Sequence, residues 1–134
     1  MCKLGDIIVI NKYIGEGGNI VNRHSFVVID DEKGVISGLD YDMVASAISS
    51  FKSGEQRERK LKYMENMELP IDSMKEKKLK GDSYVKADQA HYFNKSKLDY
   101  YVLGTLKEKY IKNLLSLIVQ LRLKGKTKQI VENL

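Results

Sequence analysis

Proline and cysteine each occur once in this 134-residue sequence, as Pro70 and Cys2. A single thiol excludes a disulfide within the chain and any zinc site built from several thiolates, and it fits a reducing compartment. Long apolar runs are missing as well. The longest, Leu114 to Leu121, is interrupted by Ser116 and Gln120 and falls well short of the roughly 20 residues a membrane helix needs. Gly5 and Asp6 precede Ile7-Ile8-Val9-Ile10, so no basic head runs into an apolar segment with a small-residue cleavage site. The expectation is a soluble cytoplasmic protein with no membrane partner. Signatures of bound groups are equally scarce. Gly15, Gly17 and Gly18 fit neither the phosphate-loop nor the dinucleotide spacing, and no helix pattern follows them. Asp30, Asp31 and Glu32 make a local turn cluster and not a convergent ligand set. Neither a cofactor nor a metal is expected.

What is present is the composition of one globular domain spanning 1–134, with 43% hydrophobic and 31% charged residues. The formal net charge of +5 is unevenly distributed. Lys52, Arg57, Arg59, Lys60 and Lys62 crowd one segment, and Lys75, Lys77, Lys78 and Lys80 another. Such clusters favour polyanions, although Lys-rich solvated loops are common and charge permits nucleic acid without establishing it.

The first third alternates short β-branched runs with turn signals: Asp6-Ile7-Ile8-Val9-Ile10, the glycine-rich segment 15–19, and Ser25-Phe26-Val27-Val28-Ile29. This pattern predicts strand, loop and strand, and the continuous apolar runs suit strands buried on both faces. A polar turn at 30–34 leads to a short strand around Val35-Ile36-Ser37. Met43, Val44, Ala47, Ile48 and Phe51 fit a helical stripe, so periodicity alone leans to helix there. Residues 52–62 read as a loop or short exposed helix, 63–69 as a return strand ending at Pro70, 75–81 as a polar connection, and 83–87 as a half-buried strand. Thr105-Leu106-Lys107-Glu108 has the form of a capping box. It opens a helix whose apolar stripe is Tyr110, Ile111, Leu114, Leu115, Ile118 and Leu121 and whose stop is Gly125. The tail 125–134 is expected to fray or to continue as a separate short helix. The fold class is mostly β with a C-terminal helix.

Several segments taken in order carry a likeness: Gly5-Asp6-Ile7-Ile8-Val9-Ile10, Arg23-His24-Ser25-Phe26-Val27-Val28-Ile29, Ala47-Ile48-Ser49-Ser50, Asp82-Ser83-Tyr84-Val85-Lys86-Ala87-Asp88-Gln89, and Gly104-Thr105-Leu106 before the last helix. No single piece is specific, but the ordered set resembles MazF/PemK toxins of toxin–antitoxin systems over nearly the whole chain. The resemblance implies a small SH3-like barrel, a homodimer, and a strand rather than a helix at 43–51. It also implies a cognate antitoxin, with a short acidic protein favoured over a structured RNA.

Members of that family cut single-stranded RNA without a metal, through attack of a ribose 2′-hydroxyl on the adjacent phosphate. The enzyme must then stabilise charge on five-coordinate phosphorus and help move two protons. The resemblance assigns the charge-stabilising role to Arg23 and the phosphate-bonding hydroxyl to Ser49. Ser50 takes that role if the strand register is shifted by one, because adjacent strand side chains face opposite ways. Each serine also reads as an ordinary strand-end residue bonding its own backbone. His24 stands where the family has proline. Its imidazole has the chemistry to move a proton, yet as a strand neighbour of Arg23 it tends to face away from the cleft. His91 reads as structural. Lys52, Arg57, Arg59 and Lys60, directly after the hydroxyls, and Gln89 in the late strand are the expected RNA-binding residues. Two rival readings remain open at the level of sequence: a catalytically silent SH3-like module that holds RNA or a peptide, and a gyrase-directed poison.

Overall fold

The computed structural model describes residues 2–134. Ten strands and two α-helices follow one another as β1 (Asp6–Ile14), β2 (Ile20–Asp30), β3 (Gly34–Ile36), β4 (Leu39–Tyr41), β5 (Met43–Ser50), α1 (Gly54–Leu61), β6 (Asn66–Leu69), β7 (Ser83–Lys86), β8 (Gln89–Phe93), β9 (Tyr100–Thr105), α2 (Glu108–Leu123) and β10 (Lys128–Ile130), with one turn of 3-10 helix at Lys95–Lys97. The fold is mostly β with a C-terminal helix, as the sequence pattern predicts. The main sheet runs β10-β8-β5-β2-β1-β9, with β7 also on β5 and β6 on β7, while β3 and β4 form a separate hairpin.

Both faces of the central strands are covered. On one face, Ile7, Val27, Val44, Ile48 and Val85 pack with Leu114, Ile118 and Leu121 of α2. On the other, Ile8, Ile10, Phe26, Val28, Met43, Ala45, Ala47 and Phe93 form a second cluster with Cys2 and Tyr13. This two-sided burial is why the strands read as unbroken apolar runs. The register shifts between Ile7 and Ile8 against β9, and between Val28 and Asp30 against β5. Such bulges increase local twist. The sheet curls without becoming a closed hydrogen-bonded ring, since β9 and β10 lie at its two ends and do not pair. The expected barrel is therefore an open one.

Gly5 shows how tightly the helix lies on the sheet. Its φ is +89°, and a Cβ there would run into the Ile111 side chain. Its N–H donates to the Val28 carbonyl at 2.8 Å, and its carbonyl accepts from Leu106 N–H at 3.0 Å. Only glycine supplies both the left-handed backbone and the clearance.

Two expectations need correction, and a third, the strand at 43–51, holds against the local periodicity. The segment 105–108 is not a capping box: Thr105 belongs to β9 and its hydroxyl donates to Asp6 Oδ1 at 2.7 Å. The helix begins at Glu108, after an N-cap Lys107 with no side-chain cap. The tail is neither frayed nor helical. Gly125 stops α2 at φ +67°, and Lys128–Ile130 then adds a parallel strand beside β8. Asn133 completes the attachment, its side chain accepting from Ile14 N–H at 2.7 Å and donating to Ile14 C=O at 2.8 Å. Finally, 43–50 is strand and not helix, in agreement with the resemblance and against the periodicity.

Candidate functional site

Strands β1, β2, β5, β7 and β9 line a cavity of about 780 Å³ whose other wall is the loop between β6 and β7. That volume lies within the range of small-molecule and single-nucleotide clefts. Its floor is apolar, from Ile7, Val9, Ile48, Met74 and Leu103, and its rim is cationic, from Arg23, Lys52, Lys77, Lys78 and Lys80. Among the described residues no carboxylate belongs to the lining. Convergent cations without a counter-charge raise the local concentration of anionic ligands.

Pairing registers fix what shares the cavity face. Val9 is level with both Ser25 and Tyr101, and Ser25 with Ile48, which is level with Val85. Paired residues lie on one face, and residues two apart along a strand share it. Ser50 and its partner Ser83 therefore belong with Ser25 on the cavity side. Carrying the β2–β5 register on by two residues sets Arg23 level with Ser50. Arg23 itself has φ +26°, an uncommon conformation for a residue with a side chain. Its guanidinium Nη2 donates to the Tyr101 hydroxyl across β1, at 2.9 Å.

Ser49 and His24 border the cavity but belong to the opposite face by the same alternation. Ser49 is level with Tyr84. The His24 ring centroid lies 6.3 Å from Tyr13 and 5.8 Å from Phe26. Burial, followed by the nearby Lys86 cation, holds the His24 pKa below its ordinary value, so this imidazole is mostly neutral at neutral pH. Of the two serines, Ser50 shares the face with Arg23. If the cavity is where a ligand reacts, Ser50→Ala is accordingly expected to reduce that activity more than Ser49→Ala, measured as initial rates on one substrate. The reverse order would show that the cleft is entered from the other face of β5.

Of the expected binding residues only Lys52 reaches the cavity. Arg57, Arg59 and Lys60 lie on α1, outside the lining, and Arg57 is paired with Glu68. Gln89 opens β8 beside Lys128, where its carbonyl accepts from Ser46 Oγ at 2.8 Å. Sequence reasoning missed Lys77, Lys78, Lys80 and Tyr101 as site residues. The three lysines are carried by a loop that is tied down. Lys75 N–H donates to Thr105 C=O, Lys107 N–H to Ser73 C=O and Leu79 N–H to Ile71 C=O, each at 2.8 Å, and Met74 is 3% exposed. The apolar residues Met74, ahead of the three lysines, and Leu79, between Lys78 and Lys80, are the signal that this connection packs.

His91 belongs to the second core cluster and not to the cavity. Its ring stands 5.1 Å from Phe26 and 5.9 Å from Tyr13, and neither ring nitrogen has a partner among the described residues. Burial first, and then His24, push its pKa down to about 4. The folded value lies below the ordinary value near 6.5, so the unfolded chain binds this proton more readily. Stability linked to His91 is complete above about pH 6.5 and is lost as pH falls towards 4, by up to about 3 kcal/mol. Urea titrations at pH 7 and pH 4.5 of wild type and His91→Phe check this. The stability drop on acidification should be smaller in the variant, and equal drops would refute it.

Among the described residues no three His, Cys, Asp or Glu side chains converge as metal ligands. None of the described helices is long and apolar enough to cross a membrane. No family model matches the sequence, and the search of curated proteins yields no significant match.

Proposed function

We propose that this chain is a metal-independent endoribonuclease of the MazF/PemK toxin kind, acting on single-stranded RNA. The observation that carries the reading is the cationic, carboxylate-free cavity in which the Arg23 guanidinium and the Ser25, Ser50 and Ser83 positions share one sheet face. A phosphodiester seated there meets a permanently charged fork of donors in Arg23, suited to phosphate oxygens. As the ribose 2′-oxygen attacks phosphorus, negative charge grows on the non-bridging oxygens. Arg23 and the Ser50 hydroxyl stabilise that charge more in the transition state than in the ground state. The apolar floor offers a surface for a splayed base, and the lysines hold the flanking phosphates. A twofold dimer and a short acidic antitoxin that competes for the cationic rim are parts of the same proposal.

The direct experiment incubates the purified protein with mixed-sequence RNA in excess chelator. Fragments ending in a 2′,3′-cyclic phosphate with 5′-hydroxyl partners are expected. Intact RNA that nonetheless binds would favour the silent binding module instead.

Affinity should depend on the loop lysines. Each phosphate neutralised on a single strand contributes about 0.7 to the slope of log K against log salt. Converting Lys77, Lys78 and Lys80 to Gln should therefore flatten that slope by about two units, measured with a non-cleavable RNA. The same change at Arg57, Arg59 and Lys60, outside the cavity, should flatten it much less. An equal effect from both triple variants would mean that the RNA path follows α1 as well.

A further inference from the structure

We infer that Tyr101 is a catalytic residue of this site, the general acid that protonates the departing 5′-oxygen. The inference rests on the endoribonuclease reading above and adds a role that neither the charge of Arg23 nor the serine hydroxyls supply.

Cleavage by 2′-hydroxyl attack forms a P–O2′ bond and breaks the P–O5′ bond. One proton leaves the 2′-oxygen and one must reach the 5′-oxygen, since an unprotonated alkoxide is a poor leaving group. The ammonium groups of Lys52, Lys77, Lys78 and Lys80 at the rim also carry protons, but the proton-bearing group held directly against Arg23, where the phosphate is proposed to sit, is Tyr101. Arginine stays protonated under all ordinary conditions and serves as a fixed charge. His24 belongs to the opposite face, against Tyr13 and Phe26, and His91 is buried in the second core cluster.

Tyr101 has the required arrangement. It lies on β9, level with Val9, which is level with Ser25, and it lines the cavity while 41% exposed. Arg23 Nη2 donates to its oxygen at 2.9 Å. A guanidinium only donates, so this bond uses a lone pair of the phenol and leaves its O–H available. Among the described residues no acceptor takes that proton. The phenol thus stands beside the group that holds the phosphate, with its hydrogen uncommitted.

The balance closes with solvent. Water or hydroxide takes the 2′-proton as the P–O2′ bond forms. Tyr101 gives its proton to the 5′-oxygen as the P–O5′ bond breaks, and the phenolate recovers a proton from water. The products are a cyclic phosphate and a free 5′-hydroxyl, with no net consumption of water.

The test compares wild type and Tyr101→Phe on two substrates of one sequence: ordinary RNA, and RNA in which the bridging 5′-oxygen at the cleaved position is replaced by sulfur. A thiolate leaves without protonation, so the sulfur substrate does not need the acid. On ordinary RNA the variant should be slower by about 10²-fold or more, the usual size of such a contribution. On the sulfur substrate the two proteins should cleave at nearly equal rates. A variant that is equally slow on both substrates makes Tyr101 a positioning residue for Arg23 and overturns the inference. So does a variant as fast as wild type on ordinary RNA. Wild type inert on both substrates overturns the endoribonuclease reading itself, and the inference with it.

Discussion

Under the proposed endoribonuclease function, Arg23→Ala is expected to cleave RNA about 10²- to 10³-fold more slowly than wild type, the cost typical of losing one preorganised donor to transition-state charge. The loss should appear in kcat, because the interaction strengthens as charge builds on phosphorus and contributes less to ground-state binding. Folding should be little affected. Arg23 is exposed, its side-chain hydrogen bond is to the exposed Tyr101, and changes at such surface positions are usually worth within about 0.5 kcal/mol. Arg23→Lys separates charge from geometry: an ammonium keeps the charge but lacks the planar fork, and recovery should be partial. Melting curves alongside single-turnover rates make the comparison. A wild-type rate in Arg23→Ala would show that the cavity is not the place where the phosphate reacts.

The second large effect concerns stability. Phe26 is fully buried, and its ring meets Tyr13 at 4.9 Å, His91 at 5.1 Å, Phe93 at 5.6 Å and His24 at 5.8 Å, all close to edge-on. Edge-to-face pairs of this kind contribute beyond the area they bury. Truncation to alanine removes the hub of four contacts and leaves a cavity between rigid strands that cannot collapse onto it. Phe26→Ala should cost about 3–5 kcal/mol, read as a lower urea midpoint. Phe26→Leu, which refills part of the volume, should cost clearly less. If both substitutions are tolerated within about 1 kcal/mol, the aromatic cluster does not hold this face of the sheet together.

Most strands were legible because β-branched runs and turn residues mark them locally. The harder cases share a cause: the deciding contact comes from far along the chain. Residues 43–51 carry apolar side chains on both faces of β5, with Val44 and Ile48 in one cluster and Met43, Ala45 and Ala47 in the other. A run with apolar residues on both faces satisfies a helical stripe as readily as a strand. Thr105 and Glu108 have capping-box spacing, yet the threonine hydroxyl is taken by Asp6, 99 residues away. The choice between Ser49 and Ser50 rests on one residue of register, which pairing with β2 and β7 sets and no local pattern records. Tyr101 escaped notice because its nearness to Arg23 exists only once β1 lies between β2 and β9. The lysines at 77, 78 and 80 were visible as charge. Their approach to the cavity depends on Met74 and Leu79 holding the loop against the body of the protein.

The placement of β1 between its immediate successor and the ninth strand also shapes how the chain acquires its structure. The β1–β2 ladder closes through a short loop, but the β1–β9 ladder must join Asp6 to Thr105, and closing so long a loop costs entropy before any contact repays it. Until that happens β1 has an open edge, and its apolar residues lie beside a groove with only one wall. Folding of such non-local sheets belongs to the millisecond-to-second class, and exposed strand edges in partly folded chains invite pairing between molecules. The same pairing brings Tyr101 to Arg23, so the proposed site is assembled by the step that seals this sheet edge. A chain caught before that step has neither.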